Sequence, residues 1–200
     1  MSVFVAEELS EVLNTKVVIG RINMGLLNRI IIDDVLLDDQ SGQEMLKVTR
    51  LSAKFDIMPF FKGKISISSV QLFGFNINLR KETPDSPPNF KFVLDAFASK
   101  DTVKKENSLD LRINSILIRR GRMSYHVLSE EETPGKFNAK HIQLQNIIAN
   151  ISLKALSKDS LNLGIKRLSL DEKASGFSLK KMSLKLVANN KQTNIDNFTI

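Results

Sequence analysis

The chain of 200 residues has no cysteine, no tryptophan and a single tyrosine. Without cysteine there is no disulfide scaffold and no thiolate metal site. The aromatic content is instead twelve phenylalanines. Phenylalanine has no polar handle, so it suits an apolar interior better than a surface that stacks sugars or bases. No stretch approaches the roughly 20 consecutive apolar residues of a membrane span. A signal-peptide core is missing from residues 1–13, where Glu7, Glu8 and Glu11 interrupt the apolar positions.

Hydrophobic residues make up 42% of the chain and charged residues 26%, the balance of a folded protein. The net charge of +7 permits nucleic acid or anionic lipid as a partner. The plainer reading is a solubilised β surface, because lysine is a common way to blunt sheet edges.

One pattern dominates: apolar, any, apolar, two polar, apolar, any, apolar. It occurs at Val17-Ile19-Ile22-Met24, Ile30-Ile32-Val35-Leu37, Leu46-Val48-Leu51-Ala53 and Ile65-Ile67-Val70-Leu72. After a gap come Leu111-Ile113-Ile116-Ile118, Phe137-Ala139-Ile142-Leu144, Leu163-Ile165-Leu168-Leu170 and Phe177-Leu179-Met182-Leu184. Thr193-Ile195-Phe198-Ile200 closes the series with threonine in first place. The strict form, with every intervening residue polar or glycine, is expected by chance less than about once at this composition. It occurs five times, starting at Leu46, Ile65, Phe137, Leu163 and Phe177. The uneven spacing makes this a loose repeat rather than a fixed-period solenoid.

Side chains on a strand alternate faces, so a three-residue step in mid-strand would send the apolar set to the opposite face. A bulge at the step absorbs the extra residue and keeps one face apolar. Repeated across a sheet, such bulges curl it into a gutter or half-barrel. The alternative is a strand that crosses between two sheet layers at the step. The gutter is favoured, because bulges are the commoner way to curve a single sheet.

Two helices are predicted. Phe4, Ala6, Leu9, Val12 and Leu13 lie near helical spacing, giving a helix within residues 1–14. Phe90, Val93, Leu94 and Phe97 fall at i, i+3, i+4 and i+7, with Asn89 placed as N-cap. This second helix follows the stiff polar run Thr83-Pro84-Asp85-Ser86-Pro87-Pro88. Residues 81–108 therefore form a loop-helix-loop insert between an early strand group, 15–80, and a later one, 109–200, within a single domain. Turns are expected at Asp39-Gln40-Ser41-Gly42 and over residues 129–135, and Met58-Pro59-Phe60-Phe61-Lys62-Gly63 reads as an apolar corner. The fold class expected is mainly β: a strongly curved antiparallel sheet, open on one side as a groove, with a short N-terminal helix and one inserted amphipathic helix.

Motifs for chemistry are sparse. His126 and His141 have no metal-spaced neighbour in sequence, so both read as surface or strand residues. Asp33-Asp34 and Asp38-Asp39 read as strand-end and turn residues, because the Asp38 to Glu44 stretch lacks the alternating oxygen ligands of a calcium loop. Arg119-Arg120-Gly121-Arg122 is the densest basic cluster, but only Tyr125 stands near it as an aromatic. It reads as a solvated strand end, with anionic lipid headgroups as a second option and nucleic acid disfavoured. No catalytic, phosphate-binding or dinucleotide motif is present. The expectation is a protein that is not an enzyme and uses no cofactor and no metal.

The order of features over Leu9 to Ile77 carries a resemblance. "LSEVLNTKVVIGRI" is followed by "IIIDDVLLDDQSGQEMLKVTRLSAKFDIMPFFKGKISISSVQLFGFNINL". This resembles the N-terminal region of the AsmA/TamB group of envelope proteins, and "SPPNFKFVLDAF" resembles the branch found in the Bacteroidota phylum. The resemblance implies a periplasm-facing protein anchored in the inner membrane by an N-terminal helix absent from this chain. It implies phospholipid acyl chains as partners along an apolar groove, a role in outer-membrane biogenesis, and an outer-membrane β-barrel protein as a further partner. The chain ends on Phe198-Thr199-Ile200 within a strand-like pattern, which reads as a fragment of a longer groove. The candidate groove residues are Ile30, Ile32, Val48, Leu51, Ile65, Ile67, Val70, Leu72, Ile113, Ile116, Ile142 and Leu144.

Overall fold

Each of the nine sequence copies places at least two of its four positions on a different strand of a single open sheet; Phe137 and Ala139 lie in the turn before their strand, and Leu111 and Ile113 lie outside the described residues. The computed structural model describes residues 2–26, 28–55, 65–98, 109–110, 114–156, 160–189 and 191–200. Helix α1 (Ser2–Leu13) leads into strands β1 (Val17–Gly25), β2 (Arg29–Asp38), β3 (Glu44–Phe55) and β4 (Ile65–Lys81). Helix α2 (Lys91–Ala98) and the two-residue β5 (Leu109–Asp110) follow. Then come β6 (Ser115–Val127), β7 (His141–Leu156), β8 (Ser160–Glu172), β9 (Ser178–Asn189) and β10 (Thr193–Thr199). The apolar corner at residues 58–63 lies outside the described residues.

The strand order is β1-β2-β3-β4-β6-β7-β8-β9-β10, with β5 beside β4 off this path. Neighbours are antiparallel except where β4 meets β5 and β6, which are parallel to it. This corrects the expected all-antiparallel sheet to a mixed one. Parallel neighbours cannot be joined by a tight hairpin and need a crossover of a dozen or more residues. The insert that separates the two strand groups in sequence is that crossover.

A seam crosses the sheet where the strands break step. Gly20, Asp34, Thr49 and Gly74 stand opposite one another in the gaps of the β1–β2, β2–β3 and β3–β4 ladders. From β1 to β4 the register is unchanged across the seam, because both strands of each pair carry the same step. Beyond β6 the step becomes a true bulge, with register shifts near Gly121, after Gln145 and after Ile165. Asp34, Gly74, Arg120, Asn146 and Asn197 have φ between 53° and 63°. One residue in this left-handed region turns the chain enough to restart the side-chain alternation. Glycine, asparagine and aspartate tolerate it best, and four of the five are of those types.

On β4, β6 and β7 the seam sits further along the chain than the sequence copies place it. There it separates Val70 and Leu72 from Phe75 and Ile77, Ile118 from Gly121, and Leu144 from Ile147. These strands carry more than one step, and pairing with the neighbours selects which of them joins the seam.

The apolar side chains on both sides of the seam share one face. Val48, Phe75 and Ile147 are buried together, with Val35, Leu51, Leu72, Ile118, Leu144 and Leu170 packed around them. Leu72 precedes the step on β4 and Phe75 follows it, yet both join this cluster. The strands therefore remain in one layer instead of crossing between two.

Helix α1 ends on Asn14, whose φ of 48° and the bond from Thr15 N–H to the Ser10 carbonyl (3.1 Å) form a left-handed cap. Its Ala6 and Leu13 pack with Val17, Ile19, Leu37 and Met45, and Phe90, Phe92 and Val93 close the cluster from the α2 side. Asn89 does not act as the N-cap. Its amide oxygen accepts the Arg80 backbone N–H (3.1 Å) and its nitrogen donates to the Asn78 carbonyl (3.1 Å), so it serves as a surrogate strand partner for β4.

Candidate functional site

The largest continuous feature is the apolar face. Ile32 belongs to the cluster under the helices, whereas Val48, Leu51, Leu72 and Leu144 belong to the cluster that continues towards β8. Ile30, Val70, Ile116 and Ile142 are half-buried on the same face by alternation with those neighbours. Ile113 and the side chains of Ile65 and Ile67 lie outside the described residues. Only Val48, Phe75 and Ile147 of this second cluster are fully buried. Among the described residues, α1 packs on β1 and touches α2, and neither helix packs on β6 or any later strand. The apolar face is thus covered at its β1–β3 end, and among the described residues no helix covers it beyond that end.

The opposite face is polar and basic along the seam. The Arg50 guanidinium reaches Asp33 with two bonds, Nε to Oδ1 at 2.6 Å and a second nitrogen to Oδ2 at 3.3 Å. The Arg50 bonds hold the Asp33 carboxyl below its ordinary range despite the opposing effect of burial. Arg120 stands 5.1 Å from the centre of the Phe73 ring, and Lys47, Arg120, Arg122 and Asn146 border a shallow hollow of about 450 Å³. Asp33-Asp34 and Arg119 to Arg122 therefore occupy mid-strand positions, not strand ends. The mid-strand φ > 0 positions account for this, because the seam itself favours turn-type residues inside strands.

Two buried carboxylates hold strand ends and turns in place. Asp39, 2% exposed, accepts Ser41 Oγ (2.7 Å) and the backbone N–H groups of Ser41 (3.0 Å) and Gln43 (3.1 Å) on one oxygen. Its other oxygen accepts Arg80 (2.6 Å) and Asn89 Nδ2 (3.1 Å). Burial pushes this carboxyl up, but the hydrogen bonds outweigh it and hold it below the ordinary value. The Asp38-Asp39 pair is thus at a strand end and turn, as its residue types suggest.

Glu172, also 2% exposed, accepts backbone N–H groups from Gln143 (3.2 Å), Ala174 (3.1 Å) and Ser175 (2.7 Å), and the Ser175 hydroxyl (2.5 Å). Burial again pushes its pKa up, but these four donors bring it down to about 2. Both carboxylates serve as structural acceptors for turns, with every near partner a donor.

The third polar cluster is one that sequence spacing did not disclose. His126 and His141 are register partners at the closing pair of β6 and β7, with their Nδ1 atoms 3.0 Å apart. Glu132 Oε1 lies 3.9 Å from His126 Nδ1. The available signal was that both histidines flank the same expected turn region, residues 129–135.

No family model matches the chain, and no curated protein matches it. Among the described residues, no helix is long and apolar enough to cross a membrane.

Proposed function

We propose that this chain is part of a non-enzymatic cell-envelope protein that binds or conducts phospholipid along the apolar face of its sheet, between inner and outer membrane. The observation that carries this reading is the continuity of that face. The step in each strand keeps the apolar set on one side from β2 to β8, and among the described residues no helix covers it beyond β3. Each acyl methylene moved from water onto such a surface contributes about 0.8 kcal/mol. The polar, basic opposite face remains available to solvent. The envelope setting, the inner-membrane anchor and the place in outer-membrane biogenesis come from the resemblance to AsmA/TamB proteins over Leu9 to Ile77.

A second reading is a periplasmic assembly or secretion scaffold that pairs with outer-membrane β-barrel clients. Its support is β10, an edge strand with every residue exposed, Ile195 and Phe198 included. An open edge can accept another strand.

Photo-crosslinking in the full-length protein in cells tests both. A benzophenone side chain at Ile116 or Leu144 is expected to yield phospholipid adducts, and one at Lys47 or Asn76 on the opposite face is not. Equal labelling from both faces, or none from either, overturns the lipid reading. Adducts from position 195 to a β-barrel protein, without lipid adducts at 116 or 144, favour the scaffold.

A further inference from the structure

We propose that His126, His141 and Glu132 bind a divalent transition-metal ion of the zinc class, with water completing the coordination. This is independent of the lipid reading, because the cluster lies at the closed end of the β6–β7 connection and shares no residue with the apolar face.

The tautomer of His141 can be assigned from its partners. Its Nε2 is 2.9 Å from the Glu130 carbonyl oxygen, which can only accept. Nε2 therefore carries the proton, and in the neutral ring Nδ1 is left with its lone pair. A backbone carbonyl holding the remote N–H is the usual device that orients a metal-binding imidazole and raises its basicity. The His141 lone pair points at His126 Nδ1, 3.0 Å away, with the two rings tilted by 54°. Without a metal, a proton on His126 Nδ1 bridges the two nitrogens; when an ion binds there, the neutral ring carries that proton on Nε2 instead.

The spacing suits this exchange. The His126 and His141 nitrogens and a Glu132 oxygen all lie within 4.8 Å of one another. Around one zinc with bonds of about 2.0–2.2 Å, neighbouring ligand atoms stand about 3.3 Å apart. The nitrogens need to separate by a few tenths of an ångström, and the carboxylate oxygen, 3.9 Å from His126 Nδ1 and within 4.8 Å of the His141 nitrogen, to approach by about half an ångström to one and a half. Glu132 can move, because its side chain is 64% exposed and sits in the connection between β6 and β7. Two imidazoles and one carboxylate match zinc and its neighbours better than calcium or magnesium, which prefer all-oxygen shells.

The surrounding charge sets the affinity. Lys140 is paired with Glu130 Oε2 at 2.5 Å, whereas Lys173 lines the adjacent hollow beside His141 and opposes a cation there. With three protein ligands and one opposing lysine, binding in the micromolar range is expected. The ion would cross-link the β6–β7 connection to both strand ends and so stabilise the closing pair by mass action.

The test is isothermal titration of ZnCl₂ into the EDTA-treated full chain at pH 7.5, with metal content measured after desalting. One zinc per chain is expected, with no heat from MgCl₂. Glu132→Gln and His126→Gln should each weaken binding about tenfold or more. Glu132 is exposed and His126 half-buried, so the metal-free melting temperature of Glu132→Gln should remain close to that of the parent, and this variant carries the test if His126→Gln is less stable. No saturable heat with ZnCl₂, or unchanged affinity in both variants, overturns the proposal.

Discussion

The Phe75 ring fills the space in which a side chain on Gly121 would stand. A Cβ built there lies 2.5 Å from Phe75 Cε1 and 3.0 Å from Ile147 Cβ. Phe75 on β4, Gly121 on β6 and Ile147 on β7 thus interlock at the seam, and the missing side chain lets the phenylalanine lie across the parallel pair. Gly121→Ala is expected to destabilise the fold by about 1–3 kcal/mol through overpacking, read from urea unfolding. Phe75→Leu should cost less in the Gly121→Ala background than alone. Additive costs would show that the two residues are not coupled.

Gly74 tests the seam differently. Its φ is +63°, and a Cβ there would meet Thr49 Oγ1 at 2.7 Å. Gly74→Ala therefore combines backbone strain of about 1–2 kcal/mol with a side-chain clash. Adding Thr49→Ala removes the hydroxyl contact but leaves the strain. The double variant should recover only part of the lost stability in thermal melts.

Glu172 sets an acid limit. Its folded pKa of about 2 lies below the ordinary value of 4.5. A depressed carboxyl contributes stability that is present above the unfolded pKa and is lost as pH falls through the folded one. The contribution should therefore be full above pH 4.5 and decline towards pH 2. Glu172→Gln is expected to lower stability at pH 7 by about 1–3 kcal/mol and to flatten the pH dependence in that window. Denaturant titrations at pH 7, 4.5 and 3 measure both effects.

Asp39 holds the crossover to the sheet. Asp39→Ala leaves Arg80 and Asn89 without their shared acceptor, at a cost of about 2–4 kcal/mol. Because Asn89 precedes α2, the same change should speed limited proteolysis within residues 82–90. Unchanged cleavage there would mean that the helix is held by its apolar contacts alone.

Local patterning explains how much of this fold was legible. Alternation marked the strands, the i, i+3, i+4 spacing marked α2 near Phe90, and Gly42 marked the β2–β3 turn. The mid-strand positions of Asp33-Asp34 and Arg119 to Arg122 were misread as strand ends, because turn-type residues are used at the seam inside strands. Asn89 was misread as a helix cap because its bonds go to Arg80 and Asn78, which are distant in sequence. The pairing of His126 with His141 depended on the register of β6 against β7, which spacing alone does not fix.

By itself the sequence determined the strand-rich class, the helices found at Ser2–Leu13 and Lys91–Ala98, and the existence of one apolar face. These follow from side-chain periodicity, a property of the chain over a few residues. Only the tertiary structure decided that β4 and β6 run parallel, which steps join into a seam, and which polar groups meet at His126, Asp39 and Glu172. Each of these depends on which distant segments become neighbours, and that is settled by the packing of the whole sheet around Val48, Phe75 and Ile147.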